Sequence, residues 1–384
     1  MRFIKAAKIF DGSDWLPPGT VLVYEGSGML VDVTRESEVP AAKIETLEGI
    51  LTPGFINAHC HLELSHLRDQ VRAGTGFCAF ALELMAKRKQ TTDQEIDHAM
   101  RKAEREMSEN GIVAVGDISN SSQSFDLKRE QNMFYHTFVE LLALNPARAE
   151  VVFAKGRELL ETLYGAGLKG SLAAHAPYTV SNELLDLISH FGSLTNQPFS
   201  IHNQESLEET RFFMGEKSEV YQLYQELNID LSFFHPPKTS SLSHYISHLG
   251  ENNNLLVHNT FSTAADIDLA GSKDVFWVFC PAANLYIEES LPDFSLFAQS
   301  AGRICIGTDS LASNARLDVL FELNLLAASA PFFKEEQLLR MICLNGAQAL
   351  KVEDRFGSLK RGGRAGLNQI RRNGTTFEFI AKLY

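Results

Sequence analysis

Pro53-Gly54-Phe55-Ile56-Asn57-Ala58-His59-Cys60-His61 decides how this chain folds. Pro53-Gly54 breaks whatever precedes it, and the apolar run that follows reads as a short buried strand. Side chains alternate along a strand with period two, so the imidazoles of His59 and His61 leave from one face. Two later apolar runs also finish on histidine, Phe199-Ser200-Ile201-His202 and Leu255-Leu256-Val257-His258. A last one, Arg303-Ile304-Cys305-Ile306-Gly307-Thr308-Asp309, finishes on aspartate. Histidines and an aspartate at the ends of separate buried strands predict a divalent-metal site in the mouth of a barrel.

Outward from that first strand the same grammar repeats. Leu51–His59, Ile112–Ser119, Phe134–Leu142, Gly170–Pro177, Phe199–His202, Leu255–His258, Val275–Cys280 and Ile304–Thr308 are strand candidates separated by helical intervals. Thr92-Asp93-Gln94-Glu95 has the form of a capping box, and the helix it opens runs to Gly111. This alternation predicts an α/β chain folded as a (β/α)₈ TIM barrel over 51–354, with the active site at the C-terminal ends of the strands. Residues 1–50 and 355–384 alternate β-prone runs with turns, as in Phe3-Ile4-Lys5-Ala6, Pro17-Pro18-Gly19 and Thr375-Thr376-Phe377-Glu378-Phe379-Ile380. They are expected to pair as one small β-sandwich-like domain built from both chain ends. The stretch from Ser206 to Ser243 exceeds what a crossover needs and predicts added helices or a lid beside the site.

A length of 384 residues accommodates one large catalytic domain and a small accessory one, and 45% hydrophobic residues supply its core. The formal net charge of −13 argues against nucleic acid or an anionic membrane as the main partner. Cys60, Cys78, Cys280, Cys305 and Cys343 have neither zinc-ribbon nor redox-motif spacing and read as reduced core thiols. No apolar stretch approaches a membrane span, and Met1-Arg2-Phe3-Ile4-Lys5 opens no signal peptide. The expectation is a cytoplasmic protein that takes a small-molecule substrate, with a homodimer left open.

As chemistry, His59, His61, His202 and Asp309 supply three neutral nitrogens and one carboxylate oxygen. That set suits one Zn²⁺, with Fe²⁺ as the alternative, and leaves room for a water whose pKa the ion lowers towards neutrality. Glu205 follows His202 by three residues and is placed to shuttle a proton. His258 is expected to stabilise developing charge or orient the water, and His175, in Ala173-Ala174-His175-Ala176-Pro177-Tyr178, to touch substrate. A lone barrel histidine is more often a satisfied core group, but these stand at separate strand ends with Gly307-Thr308-Asp309 at the last. His66, His98, His136, His190 and His235 lack such placement and read as core or surface. His244 and His248 lie one helical turn apart without a third ligand nearby and read as a solvated helix face. His61-Leu62-Glu63 and Cys280-Pro281 match pieces of the cytidine-type deaminase zinc signature, but its Pro-Cys-x-x-Cys is absent, which rejects that fold.

The run from Pro53 to Leu64 resembles the opening motif of the amidohydrolase superfamily. The order His-x-His, His-x-x-Glu, His, Asp resembles its mononuclear-metal deaminase branch, with cytosine deaminase, adenosylhomocysteine deaminase, aminodeoxyfutalosine deaminase and the chlorohydrolases. His175-Ala176-Pro177-Tyr178-Thr179-Val180-Ser181 and Gly307-Thr308-Asp309-Ser310 fit the same branch. The resemblance implies His59, His61, His202 and Asp309 as metal ligands and Glu205, His258 and Asp309 as catalytic groups. It implies His175 as a substrate contact and places Glu63 and Asn284 with it. No lysine stands on the fourth strand where binuclear relatives carry a bridging carbamate, which favours one metal. Cys280-Pro281-Ala282-Ala283-Asn284-Leu285 is similar to a family Cys-Pro-x-Ser-Asn-Leu element, with Ala283 in place of the serine. The implied function is hydrolytic deamination of an amino-substituted N-heterocycle by metal-hydroxide attack and ammonia release. The substrate would be an aminopurine nucleoside or base, aminodeoxyfutalosine among the candidates. The alternative is hydrolysis of a cyclic amide, imidazolone or chloro-heterocycle at the same metal.

Overall fold

In the computed structural model, which describes residues 1–384, the chain opens with β1 (Arg2–Ile9), β2 (Thr20–Tyr24), β3 (Leu30–Arg35) and β4 (Ile44–Thr52). It continues through β5 (Phe55–Cys60), β6 (Ile112–Ser119), β7 (Phe134–Leu141), β8 (Lys169–Ala174), β9 (Phe199–Asn203), β10 (Asn254–His258), β11 (Val275–Phe279) and β12 (Ile304–Ile306). β13 (Asn368–Asn373) and β14 (Thr376–Lys382) close it. The helices used below are α1 (Phe77–Arg88), α2 (Asp93–Glu109), α3 (Phe125–Arg129), α4 (Leu207–Met214), α5 (Glu219–Glu226), α6 (Ser241–Tyr245), α7 (Pro281–Glu288) and α8 (Val319–Ser329).

Pro53-Gly54 separates two sheets, which corrects the expectation of one strand from Leu51 to His59: Leu51 and Thr52 end β4, and β5 begins at Phe55. Proline has no N–H to give to a ladder. At Gly54 a Cβ would stand 2.4 Å from Val113 Cγ1 and 2.8 Å from the Ala365 carbonyl oxygen, so only glycine lets these segments meet.

β5–β8 and β9–β12 form two four-stranded parallel sheets, each in chain order. At one seam the His202 amide donates to the His175 carbonyl at 2.9 Å. At the other the Thr308 amide donates to the His59 carbonyl at 2.9 Å, and Cys60 bridges Asp309 in parallel. The two sheets therefore join along both edges as the TIM-barrel expectation requires. Ile56, Ile118, Phe138, Leu255, Val257, Phe276 and Val278 pack in one buried cluster, and β9, β10 and β11 are buried at every position. Strands buried on both faces are the mark of a helix-covered parallel sheet.

Both chain ends enter one six-stranded sheet in the order β14-β13-β4-β1-β2-β3, with β1 and β4 parallel and the other pairs antiparallel. It keeps its own core of Ile4, Leu22, Tyr24, Leu51 and Leu367. The Thr92 capping box forms as expected, and α2 ends at Glu109, just short of Gly111 at φ +80°. The long stretch after Ser206 supplies α4, α5 and α6. Phe212, Phe213 and Tyr224 from it pack with Phe77 and Phe80 of α1 and with Tyr178. All five cysteines are free and buried, and no helix is long and apolar enough to cross a membrane.

Candidate metal centre

The strand ends converge. His61 Nε2 lies 3.1 Å from His59 Nε2, 3.3 Å from His202 Nε2 and 3.4 Å from Asp309 Oδ1, while His59 Nε2 lies 3.6 Å from the same oxygen. A tetrahedral zinc site with Zn–N bonds of about 2.0–2.1 Å has ligand–ligand edges of about 3.3–3.4 Å, so these atoms already stand at coordination spacing. Ligand-capable atoms of His59, His202, His258 and Asp309 also fall within 4.8 Å of one another, which puts His258 beside the same point. Burial pushes the imidazoles down, His59 to about 4 and His61 well below its ordinary value. Burial, then the neighbouring His175, lowers His202 as well. Neutral imidazoles keep the lone pairs that a metal needs. His202 pairs through Nδ1 with the His175 carbonyl at 2.6 Å, which leaves its Nε2 bare toward the cluster.

The backbone is bent to aim these groups. Gln204 (φ 48°), His258 (φ 76°), Asn259 (φ 57°) and Asp309 (φ 54°) occupy the left-handed region just where β9, β10 and β12 end. Non-glycine residues hold such angles only where their surroundings enforce them. Here Tyr245 donates to Asn203 Oδ1 at 2.8 Å, and Asn203 Nδ2 donates to Asn259 Oδ1 at 3.0 Å. Across the last seam Asn57 Nδ2 donates to Thr308 Oγ1 at 2.7 Å. A Cβ on Gly307 would sit 2.8 Å from His59 Cβ, so glycine there admits the histidine. The Ser313 hydroxyl donates to Asp309 Oδ2 and leaves Oδ1 to face the imidazoles.

Two carboxyls beside the cluster are driven apart. Burial pushes Glu205 up to about 8, so it is an acid near neutrality. Burial also works to raise Asp309, but His59, His61 and His258 around its carboxylate outweigh burial and hold it well below the usual carboxylate range. A pair of titratable groups with opposed shifts marks acid and base roles. Glu205 Oε1 lies 3.4 Å from His258 Nε2, and His258 Nδ1 pairs with Asn284 Oδ1 at 2.8 Å. Asn284 thus sits against His258. His175 is half-buried, with Nδ1 2.9 Å from Thr179 Oγ1 and its ring 5.0 Å from that of His202. Glu63 has both oxygens engaged, by the Asn120 amide at 3.2 Å and the Ser121 hydroxyl at 3.1 Å, with Arg88 at 3.8 Å.

Sequence reading missed Glu140. It is the penultimate residue of β7, two past Phe138 and four past His136 on the same strand face, and is 7% exposed. Asn120 Nδ2 donates to one of its oxygens at 2.8 Å, while the other has no partner and stands 3.8 Å from His202 Nδ1. The signal was available: a charged residue of inward parity at the C-terminal end of an expected strand. Lys169 lies at the exposed start of β8, away from the mouth. His136 Nε2 pairs with Ser171 Oγ at 2.9 Å as a core group, His248 pairs with Asp186 at 2.7 Å and His244 packs on Phe213.

The amidohydrolase family model matches residues 50–377. An adenosine deaminase of Helicobacter pylori is 26% identical over 337 residues, 86% of this chain and 81% of that protein. An aminodeoxyfutalosine deaminase of Deinococcus radiodurans is 26% identical over 360 residues, 90% of this chain and 84% of that protein. Among solved structures, the Helicobacter pylori aminofutalosine deaminase in complex with methylthio-coformycin superposes with a TM-score of 0.81 at 24% identity. That superposition covers 97% of this chain and 93% of the other.

Proposed function

The chain belongs to the amidohydrolase family, and on that premise we propose that it is a metal-dependent hydrolase that deaminates an aminopurine nucleoside. Water replaces the amino group on the amidine carbon, and ammonia leaves. His59, His61, His202 and Asp309 hold one divalent ion, zinc before iron(II). The observation that carries the reading is the spacing of their ligand atoms, 3.1 to 3.6 Å around one point. Bound there, the ion supplies a water acidic enough to attack near neutral pH.

This chain's own residues do the rest. Glu205, raised to about 8 by burial, holds a proton and gives it to the ring nitrogen as the water oxygen bonds to the carbon. Asp309, held anionic by its histidines, takes the proton that the attacking water loses. His258, fixed by Asn284 and facing Glu205, stabilises the charge that develops on the added oxygen. Asp309 then passes that proton to the amine while Glu205 takes the proton of the added hydroxyl, so the carbon–nitrogen bond breaks, ammonia leaves and both carboxyls return to their starting states. His175, half-buried beside His202, is the polar contact for the rest of the substrate, with Asn284, Glu63 and Glu140 buried near the same strand ends. Names of relatives that act on adenosine and aminodeoxyfutalosine support a nucleoside.

The test is ammonia release by zinc-loaded protein against aminopurine nucleosides and bases, pterins and triazines. Turnover of an aminopurine nucleoside is expected to exceed that of every other class. Turnover of a cyclic amide, imidazolone or chloro-heterocycle without ammonia release from any aminopurine would overturn the reading.

A further inference from the structure

Beneath the turn that follows His61 lies an ion pair with no solvent exposure at either partner, Lys128 Nζ of α3 standing 2.6 Å from Asp117 Oδ2 of β6. Taking both charges out of water is costly, and apolar side chains of like volume in such a place are often as stable or more so. Stability is therefore a poor account of why this pair is here.

Its connections give a better one. The ammonium of Lys128 has three protons and three acceptors: Asp117 Oδ2, Ser119 Oγ at 3.0 Å and Thr137 Oγ1 at 3.0 Å. The other oxygen of Asp117 accepts the amide N–H of Leu62 at 2.8 Å. Leu62 directly follows His61 and opens a tight turn, Leu62–Leu67, whose start has no side-chain cap of its own. Cys60, between the two histidines, stands in parallel register with Asp117. A carboxylate on β6, held through Lys128 of α3 to acceptors on β6 and β7, thus reaches the backbone donor next to His61, whose own N–H meets the Asp309 carbonyl at 3.4 Å.

We infer that the Asp117–Lys128 pair is the positioning device for His61: Lys128 fixes the carboxylate, the carboxylate fixes the Leu62 N–H, and that bond aims the imidazole at His59, His202 and Asp309. The inference rests on His61 being a metal ligand, and the test separates the two. Two double variants are compared with the unmutated chain by zinc titration of the metal-free protein against a competing chelator, by thermal melting and by amide exchange at Leu62. Asp117→Leu/Lys128→Met removes charge and acceptor together, whereas Asp117→Asn/Lys128→Met removes the charge but keeps an acceptor oxygen for Leu62.

The Leu/Met variant is expected to melt at or above the unmutated temperature, to lose zinc affinity by about 10–100-fold and to exchange faster at Leu62. The Asn/Met variant is expected to regain both zinc affinity and Leu62 protection. A Leu/Met variant that binds zinc as tightly as the unmutated chain, or shows unchanged Leu62 exchange, overturns the inference. So does one that fails to fold while Asn/Met folds but binds zinc no better than a His61 variant, because the pair would then serve stability alone. Failure of the unmutated chain to bind zinc would count against the ligand set, and Leu62 exchange would still decide the strut.

Discussion

The two halves of the barrel mouth are built differently. In the β9–β12 half, Gln204, His258, Asn259 and Asp309 all hold left-handed backbone angles, and the carboxyls of Glu205 and Asp309 are displaced in opposite directions. In the β5–β8 half no strand ends in a left-handed residue, and Glu63, Asp117 and Glu140 are held by amides and by Lys128. The contrast sets one task apart. Moving protons needs side chains forced into one geometry with shifted acidity, so strain gathers there. The relaxed half gives two of the four proposed ligands, His59 and His61, while the strained half gives His202 and Asp309 together with the proton carrier Glu205.

The widest break in that division is at His61, which serves both halves. His61→Ala should lose zinc by elemental analysis and take ammonia release to background. A variant with wild-type metal content would remove His61 from the ligand set. Next comes Glu205→Gln, which keeps the shape but cannot carry the proton. It should retain zinc and lose about 10²–10⁴-fold in turnover, and lost zinc alongside lost turnover would make Glu205 a ligand instead.

Glu140→Gln probes the relaxed half. A hydrogen bond to a charged group contributes about 1.5–3 kcal/mol, so kcat/KM should fall by roughly 10–100-fold, mainly through KM. A fall carried by kcat alone would mean that the two halves share the chemistry. The smallest effect is expected at Glu322 of α8, which accepts from the Ala282 amide at 2.8 Å and so steadies the helix that carries Asn284. Burial raises its carboxyl from 4.5 to about 8. The folded state keeps this proton while the unfolded chain has released it, so its contribution is full below pH 4.5 and is lost as pH rises to about 8. Melting temperatures of Glu322→Gln across that window should fall less steeply than those of the unmutated chain. Parallel curves would count against a titrating Glu322.

Sequence legibility followed the same division. His202, Glu205, His258 and Asp309 announce themselves because each closes an apolar run or follows one at fixed spacing. His59 and His61 do so by alternation. Glu140 and Asp117 lie inside strands that the sequence also predicts, but their parity has meaning only once the inward face is known, and a lone acid in a β-run carries no such mark. Lys128 was invisible for another reason: its acceptors come from β6 and β7, and only the fold brings them to one ammonium. The break at Pro53-Gly54 is legible from residue type alone, whereas the strand range Leu51–His59 runs across it because apolar residues continue on both sides.

The six-stranded sheet sets a timetable for synthesis. β4 pairs on one side with β1, a near neighbour along the chain, and on the other with β13, which is translated only after the whole barrel. At about 5–20 residues per second, the interval between the two is on the order of 15–60 s. For that time the open edge of β4 presents unpaired N–H and C=O groups on every nascent chain. An unpaired edge of that kind is a template for a second chain, so neighbouring copies on a polysome meet it before β13 arrives.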